Sequence, residues 1–234
     1  WQLRRNYVSS ELYITSKDFY YVATIVAEIV NSLNERLKIT FNEDGTFKLN
    51  SFQDFISDKF KYGSKDGFYG WRGIRYFLYE YEQHLFAQSK NKTQKISWDK
   101  FINPEDMISI EHILPQTPDK QCWKDSFSQY APSELSALTN TLGNLLALSQ
   151  PKNSSLQNDC YSEKRADKNT ARGYFNGSYS ENRVAELYQE WTAKQIRSRG
   201  LELLSFMEER WDIKIGDEST KLKLLNIDFL HTGQ

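Results

Sequence analysis

The 234-residue sequence has only two cysteines, Cys122 and Cys160, and three histidines, His84, His112 and His231. Two cysteines cannot build a disulfide framework, and no cysteine pair has zinc-ribbon spacing. A reducing, cytoplasmic setting is therefore the expectation. With three histidines, any mechanism that needs an imidazole has little to choose from. Net charge is almost absent too: 30 Lys and Arg face 31 Asp and Glu, a formal charge of -1. A basic domain is the usual footprint of nucleic-acid binding, so contact with phosphates would have to come from a local patch. No apolar run approaches the roughly 18 residues of a membrane helix, and mean hydropathy is -0.69. The opening residues, Trp1 to Ser10, lack the apolar core of a signal peptide. They begin on Trp rather than Met, which reads as an excerpt of a longer chain.

What the sequence has in quantity is aromatic residues, 15% of the total. That much buriable ring surface argues against disorder. At roughly 150 residues per domain, the length suits one domain with a helical annex.

Phe19, Val22, Val26, Ile29, Leu33 and Leu37 recur at helical steps and predict an amphipathic helix over 18–38. The stripe Ile74, Phe77, Leu78, Tyr81 and Leu85 predicts a second over 71–87. The polar run 89–95 reads as a loop. A β-branched segment, Met107 to Leu114, lies between Pro104 and Pro115 and reads as a strand. About 25 residues of mixed loop follow, anchored by Trp123, Phe127 and Tyr130, with one helical turn near 133–138. A second strand is expected over 144–148, then a loop holding Asn153, then a helix capped by Asn158 and running to about 168. After a Gly- and Asn-rich break at 173–180, Val184, Leu187 and Trp191 share a helical face. Ile196, Leu201, Leu204, Met207 and Trp211 continue it, with Gly200 as a candidate bend. The tail beyond Gly216 has no clear pattern. The expected class is α+β and mostly helical: a helical region over 1–100, a core over 101–176, and a C-terminal helical region over 177–234.

The segment Ile110-Glu111-His112-Ile113-Leu114-Pro115-Gln116 stands apart. A carboxylate beside a histidine has a bland reading, a satisfied surface pair, and a functional one, a metal ligand next to a general base. Imidazole suits the base role because its unperturbed pKa, roughly 6.5, lies near working pH. Three asparagines follow in order: Asn144 opening the second strand, Asn153 after it, and Asn158 before the helix. Strand, loop, strand and helix, with Glu-His on the first strand, is the layout of a ββα-metal (HNH) nuclease. Such a cleft can hold one hard cation, and Mg²⁺ needs only one or two protein oxygens. The Glu111 carboxylate and Asn153 amide oxygen meet that demand. Neighbouring strand residues point to opposite faces, so Glu111 and His112 share a cleft only if the strand ends or bulges there. Pro115 makes an ending reasonable.

IEHILPQ, then Trp123, LGNLLALS, NSSLQN and Lys164 together resemble the C-terminal HNH nuclease domain of GmrSD-type, modification-dependent restriction enzymes. GIRYFLYEYE (Gly73 to Glu82) resembles the helix before that core, and 184–211 resembles its closing helices; the resemblance covers about 70–212. It implies Mg²⁺- or Mn²⁺-dependent endonucleolytic cleavage of double-stranded DNA, modified or not, in restriction of foreign or phage DNA. By position His112 matches the general base, Glu111 the first metal ligand, and Asn153 the last position of the motif, also a metal ligand. Asn144 matches the middle asparagine, which braces the loop, and Lys164 matches a lysine of the helix, a candidate active-site contact to phosphate. Glu111 stands where many HNH enzymes have Asp, one methylene shorter. The resemblance also implies an N-terminal nucleotide-dependent domain; its DGQQR-like motif is absent from these residues, as is a P-loop. One such site cuts one strand, so the product is a nick unless a second copy is supplied by dimerisation.

Lys152, Arg165 and Lys168 form a mildly basic stretch, either tracking phosphates or lying on a solvated helix face. His84 reads as exposed and His231 as part of the tail. The aromatics of 68–81 read as core rather than a base-stacking platform. Neither cysteine has a base nearby in sequence, which speaks against a nucleophile. An alternative function survives, a non-catalytic DNA-binding or adaptor module that keeps the ββα shape.

Overall fold

The computed structural model of the chain describes residues 67–231 apart from 72, 91–92, 98–107, 167–168, 170 and 213. The helix expected over 18–38 lies outside the described residues. Within them the fold is mostly helical with one small sheet.

Helix α1, Ile74–Gln88, buries the stripe that predicts it: Ile74, Phe77, Leu78, Tyr81 and Leu85 are all interior. Around it Phe68, Tyr76 and Tyr79 are buried as well, so the aromatic-rich stretch is core. The Phe77 ring stacks on Trp211 at 5.8 Å and meets Phe206 edge-on at 5.6 Å. Strands β1, Ile108–His112, and β2, Leu145–Ser149, pair antiparallel with Glu111 opposite Leu146 and His112 opposite Leu145. Leu145 to Leu148 are buried without alternation. Both faces of β2 are covered, which is why it reads as one apolar run.

The stretch between the strands is more ordered than its composition suggests. Trp123 and Phe127, four residues apart, bury one side of α2, Gln121–Phe127. Pro132 starts α3, Pro132–Asn140, in the first turn, where its missing N–H costs nothing. The Glu134 carboxylate closes that turn by accepting the Ala131 N–H at 2.8 Å. A 3-10 turn, Leu142–Asn144, then leads into β2.

The expected loop after β2 is instead helix α4, Gln150–Leu156, which carries Asn153. Its Pro, Asn and Ser residues are turn formers in sequence, but Pro is tolerated in a first turn and buried Leu156 anchors the helix to the core. Asn158 is not a cap. Helix α5, Tyr161–Arg165, starts later, with Cys160 at the N-cap position and its N–H donated to Glu163 at 2.9 Å. The Asn158 carbonyl accepts from the Trp123 indole at 3.2 Å. Cys122 and Cys160, expected as separate thiols, are joined in a disulfide with Cα atoms 6.0 Å apart, tying α2 to the start of α5.

Helix α6, Tyr179–Leu187, is capped by Ser178. Helix α7, Ala193–Trp211, runs through Gly200 without a break. Gly200 is a packing residue: a Cβ there would press on Leu225, and one on Gly143 would collide with the Ile196 carbonyl. The two glycines let α7 lie directly on the turn that leads into β2. The expected shared face of Val184, Leu187 and Trp191 does not form. The chain leaves the helix at Tyr188, Trp191 is buried in the connection and Leu187 is exposed. The tail contains α8, Glu218–Leu224, and a 3-10 turn, Asp228–His231. No helix among the described residues is long and apolar enough to cross a membrane.

Candidate active site

Alternation along β1 puts Ser109 and Glu111 on one face and Ile110 and His112 on the other. Glu111 and His112 therefore serve two different environments, although they are adjacent.

His112, at the end of β1, is 8% exposed. Its Nε2 lies 3.1 Å from Asn140 Oδ1, and Asn140 Nδ2 donates to the Ser136 carbonyl at 3.1 Å. The Tyr69 ring sits against the imidazole, centroids 4.4 Å apart, and stays 39% exposed. Tyr69 comes from the short turn Gly67–Gly70. Gly67 has φ +44°, and a side chain there would run into the Asn140 backbone oxygen 2.9 Å away, so glycine allows this close approach.

Asn144 is completely buried and braces the site. Its Oδ1 accepts the Leu114 N–H at 2.8 Å and the Trp191 indole N–H at 3.0 Å; its Nδ2 donates to Leu114 and Thr139 carbonyls at 2.9 and 2.8 Å. It thereby joins the end of β1, the end of α3 and the segment before α7. Asn153, on α4, donates Nδ2 to Ser109 Oγ at 2.7 Å, while Ser109 donates to the Leu148 carbonyl at 3.1 Å. Strand, strand and helix are thus linked through one asparagine.

A family model described as GmrSD restriction endonucleases, C-terminal domain, matches residues 49–206, more than half of the chain. The chain belongs to that family. No curated protein and no solved structure matches it. A GmrSD C-terminal domain is part of a restriction endonuclease, which places DNA among the partners of this chain.

In this GmrSD domain Glu111 is sealed, at 3% exposure. Its Oε1 lies 2.6 Å from Lys164 Nζ and accepts the Tyr174 hydroxyl at 3.2 Å. Lys164 is wholly buried and also donates to the His112 and Ile113 carbonyls at 3.1 and 3.2 Å, so its three N–H groups all have acceptors. Burial pushes the Glu111 carboxyl up and the Lys164 ammonium down; in each case the partner's charge works against the shift. Lys164, read from the resemblance as a candidate phosphate contact, is thus placed inside the fold with its N–H groups on Glu111 and two backbone carbonyls.

The basic stretch is also drawn inward. Lys152 pairs with buried Glu181. Arg165 donates to the Ala185 carbonyl at 2.8 Å and lies over the Phe175 ring. Both are held by internal partners rather than presented to a phosphate; Lys168 lies outside the described residues. His84, expected as exposed, is half-buried against Phe206.

No cluster of three or more His, Cys, Asp or Glu that could hold a metal occurs among the described residues. The Ser109–Glu111 face supplies oxygens instead. Both bonds to Glu111 fall on Oε1, and Asn153 spends its Nδ2 on Ser109. Glu111 Oε2 and Asn153 Oδ1 accept no hydrogen bond among the described residues. A carboxylate and an amide oxygen are hard donors, of the kind that suits Mg²⁺ or Mn²⁺ rather than a thiophilic ion.

Asn140, Tyr69 and Tyr174 are missing from the sequence reading. Asn140 ends α3 in a segment without motif character, and its contact with His112 spans 28 residues. Tyr69 differs from its aromatic neighbours only in remaining exposed, which spacing does not reveal.

Proposed function

We propose that this domain is a metal-dependent, HNH-type endonuclease that nicks double-stranded DNA in restriction of foreign or phage DNA. The observation that carries the reading is His112 at the end of β1. Its imidazole is held by an amide and bordered by a half-exposed ring, one residue from the oxygen-bearing Glu111 of the strand–strand–helix unit.

The neutral His112 imidazole takes a proton from water as the water oxygen attacks phosphorus. Asn144 keeps the end of β1 fixed so that the imidazole does not drift from the attacking water. β1 ends at His112, which lets the imidazole share a phosphate with the opposite face, where Glu111 and Asn153 would hold Mg²⁺ or Mn²⁺ and the ion would neutralise charge on the phosphate and leaving oxygen. Lys164 holds the Glu111 carboxylate in place and offsets part of its charge. A nucleotide-dependent step would lie in an N-terminal domain of the same protein, and pairing of two copies of this domain would turn a nick into a double-strand break.

The Glu111–Lys164 pair also favours a second reading, a ββα scaffold that binds DNA without cutting it, since a carboxylate already neutralised by a buried ammonium has less charge to offer a cation. Supercoiled plasmid incubated with the chain and Mg²⁺, with and without EDTA, separates the two. The nuclease converts plasmid to open circles only without chelator; a scaffold leaves it supercoiled in both.

A further inference from the structure

We infer that Tyr69 is a contact for the DNA backbone, its hydroxyl donating to a phosphate beside the one that is cut. The inference rests on the nuclease reading above and names a substrate contact of that site. Among the described residues only Tyr69 and Leu187 are large apolar side chains left exposed, at 39% and 51%. Leu187 is the last residue of α6. Tyr69 instead stands at the proposed base, its ring centroid 4.4 Å from that of His112 and the two planes inclined at 53°. Its hydroxyl makes no hydrogen bond among the described residues. A phenol donates as well as accepts, and Tyr is among the side chains that meet phosphate oxygens on a duplex.

The turn that carries Tyr69 is fixed on both sides of it. Phe68 is 5% exposed and meets Trp71 edge-on at 6.2 Å. Gly67 lies so close to Asn140 that a Cβ would fall 2.9 Å from its backbone oxygen. The neighbouring rings hold the turn to the core, and a rigid frame turns Tyr69 outward. Successive phosphates of one strand advance about 3.4 Å along a duplex axis. A ring 4.4 Å from the imidazole therefore lies beside the next phosphate when His112 faces the one that is cut. The domain has reason to use a neutral donor here. Its formal charge is -1, and Lys152 and Arg165 are held by internal partners.

Fluorescence anisotropy of a short labelled duplex with the 234-residue chain in EDTA reads binding apart from cleavage. Tyr69→Phe should weaken binding about 10-fold, the low end for loss of a hydrogen bond to a charged group, and Tyr69→Ala should weaken it further. Because the donor is neutral, the dependence of affinity on salt should stay as in the wild type; a changed slope would assign the loss to displaced charges and overturn the contact. Thermal melts of both variants should match the wild type, as suits a side chain at the surface. In plasmid nicking KM should rise with kcat little changed, the mark of binding given equally to substrate and transition state. Tyr69→Phe binding the duplex as tightly as the wild type overturns the inference, as does a wild type that binds no duplex. A chain that binds DNA but never nicks it defeats the nuclease reading instead, and the affinities of wild type and Tyr69→Phe still decide the contact.

Discussion

Glu111 and His112 are neighbours in sequence and opposites in surroundings. The Glu111 face is closed by a buried ammonium and a phenol, and its hydrogen bonds hold β1 to α5 and to Tyr174. On the other face the His112 imidazole meets a neutral amide and a ring that keeps two-fifths of its surface in solvent. Strand alternation lets one dipeptide anchor the fold on one side and present a reactive group on the other. Charge on the anchored side is neutralised internally, so the imidazole lies beside a fixed carboxylate rather than a mobile one.

The comparison breaks most sharply at Lys164. Lys164→Met leaves Glu111 charged, buried and unpaired, which should cost about 3–5 kcal/mol; urea unfolding measures it. Lys164→Met with Glu111→Leu should recover much of the loss, because no lone charge then remains. A single substitution without effect on the unfolding midpoint would mean that the pair is not what closes this face.

Next in size is the Cys122–Cys160 bond, which fixes α5, and with it Lys164, to α2. Its cysteines are 38 residues apart, and closing a loop of that length is worth about 3–4 kcal/mol in the chain-entropy account. Reduction should therefore lower the thermal midpoint measurably while leaving the His112 surroundings in place in the still-folded protein. Equal midpoints with and without dithiothreitol would contradict this.

The smallest effect concerns Glu82, a second buried carboxylate on α1. It accepts from Ser180 Oγ at 2.6 Å and from the backbone N–H groups of Tyr179 and Ser180, with no cation paired to it among the described residues. Burial raises its pKa, and the hydrogen bonds only partly oppose the rise. The folded state then holds this proton longer than the unfolded state, so its contribution falls as pH rises from about 4.5 toward the folded pKa. Glu82→Gln should flatten that part of the stability profile. A profile of unchanged slope would show that hydrogen bonds alone offset the burial of a carboxylate here.

Much of this contrast is legible in the sequence. The Glu-His dipeptide and the place of Asn153 after β2 follow from residue order, the bracing role of Asn144 from the family resemblance, and the opposed faces from alternation. The partner of Glu111 does not, because Lys164 lies 53 residues away and its burial depends on α5 packing under β1. Helix α4 is hidden by turn-forming residues that a buried Leu156 overrides. The disulfide is hidden because pairing depends on α2 meeting the start of α5. Asn140 carries no pattern at all, since a single hydrogen bond across the fold gives it its meaning.

The central claim is that the His112 imidazole is the base for DNA cleavage. Initial rates of plasmid nicking in Mg²⁺ by the wild type and by His112→Ala, with thermal melts of both, test it directly. His112→Ala should lose about 10²- to 10⁴-fold in rate with the melting midpoint nearly unmoved. Nicking by His112→Ala at the wild-type rate, still abolished by EDTA, would contradict it.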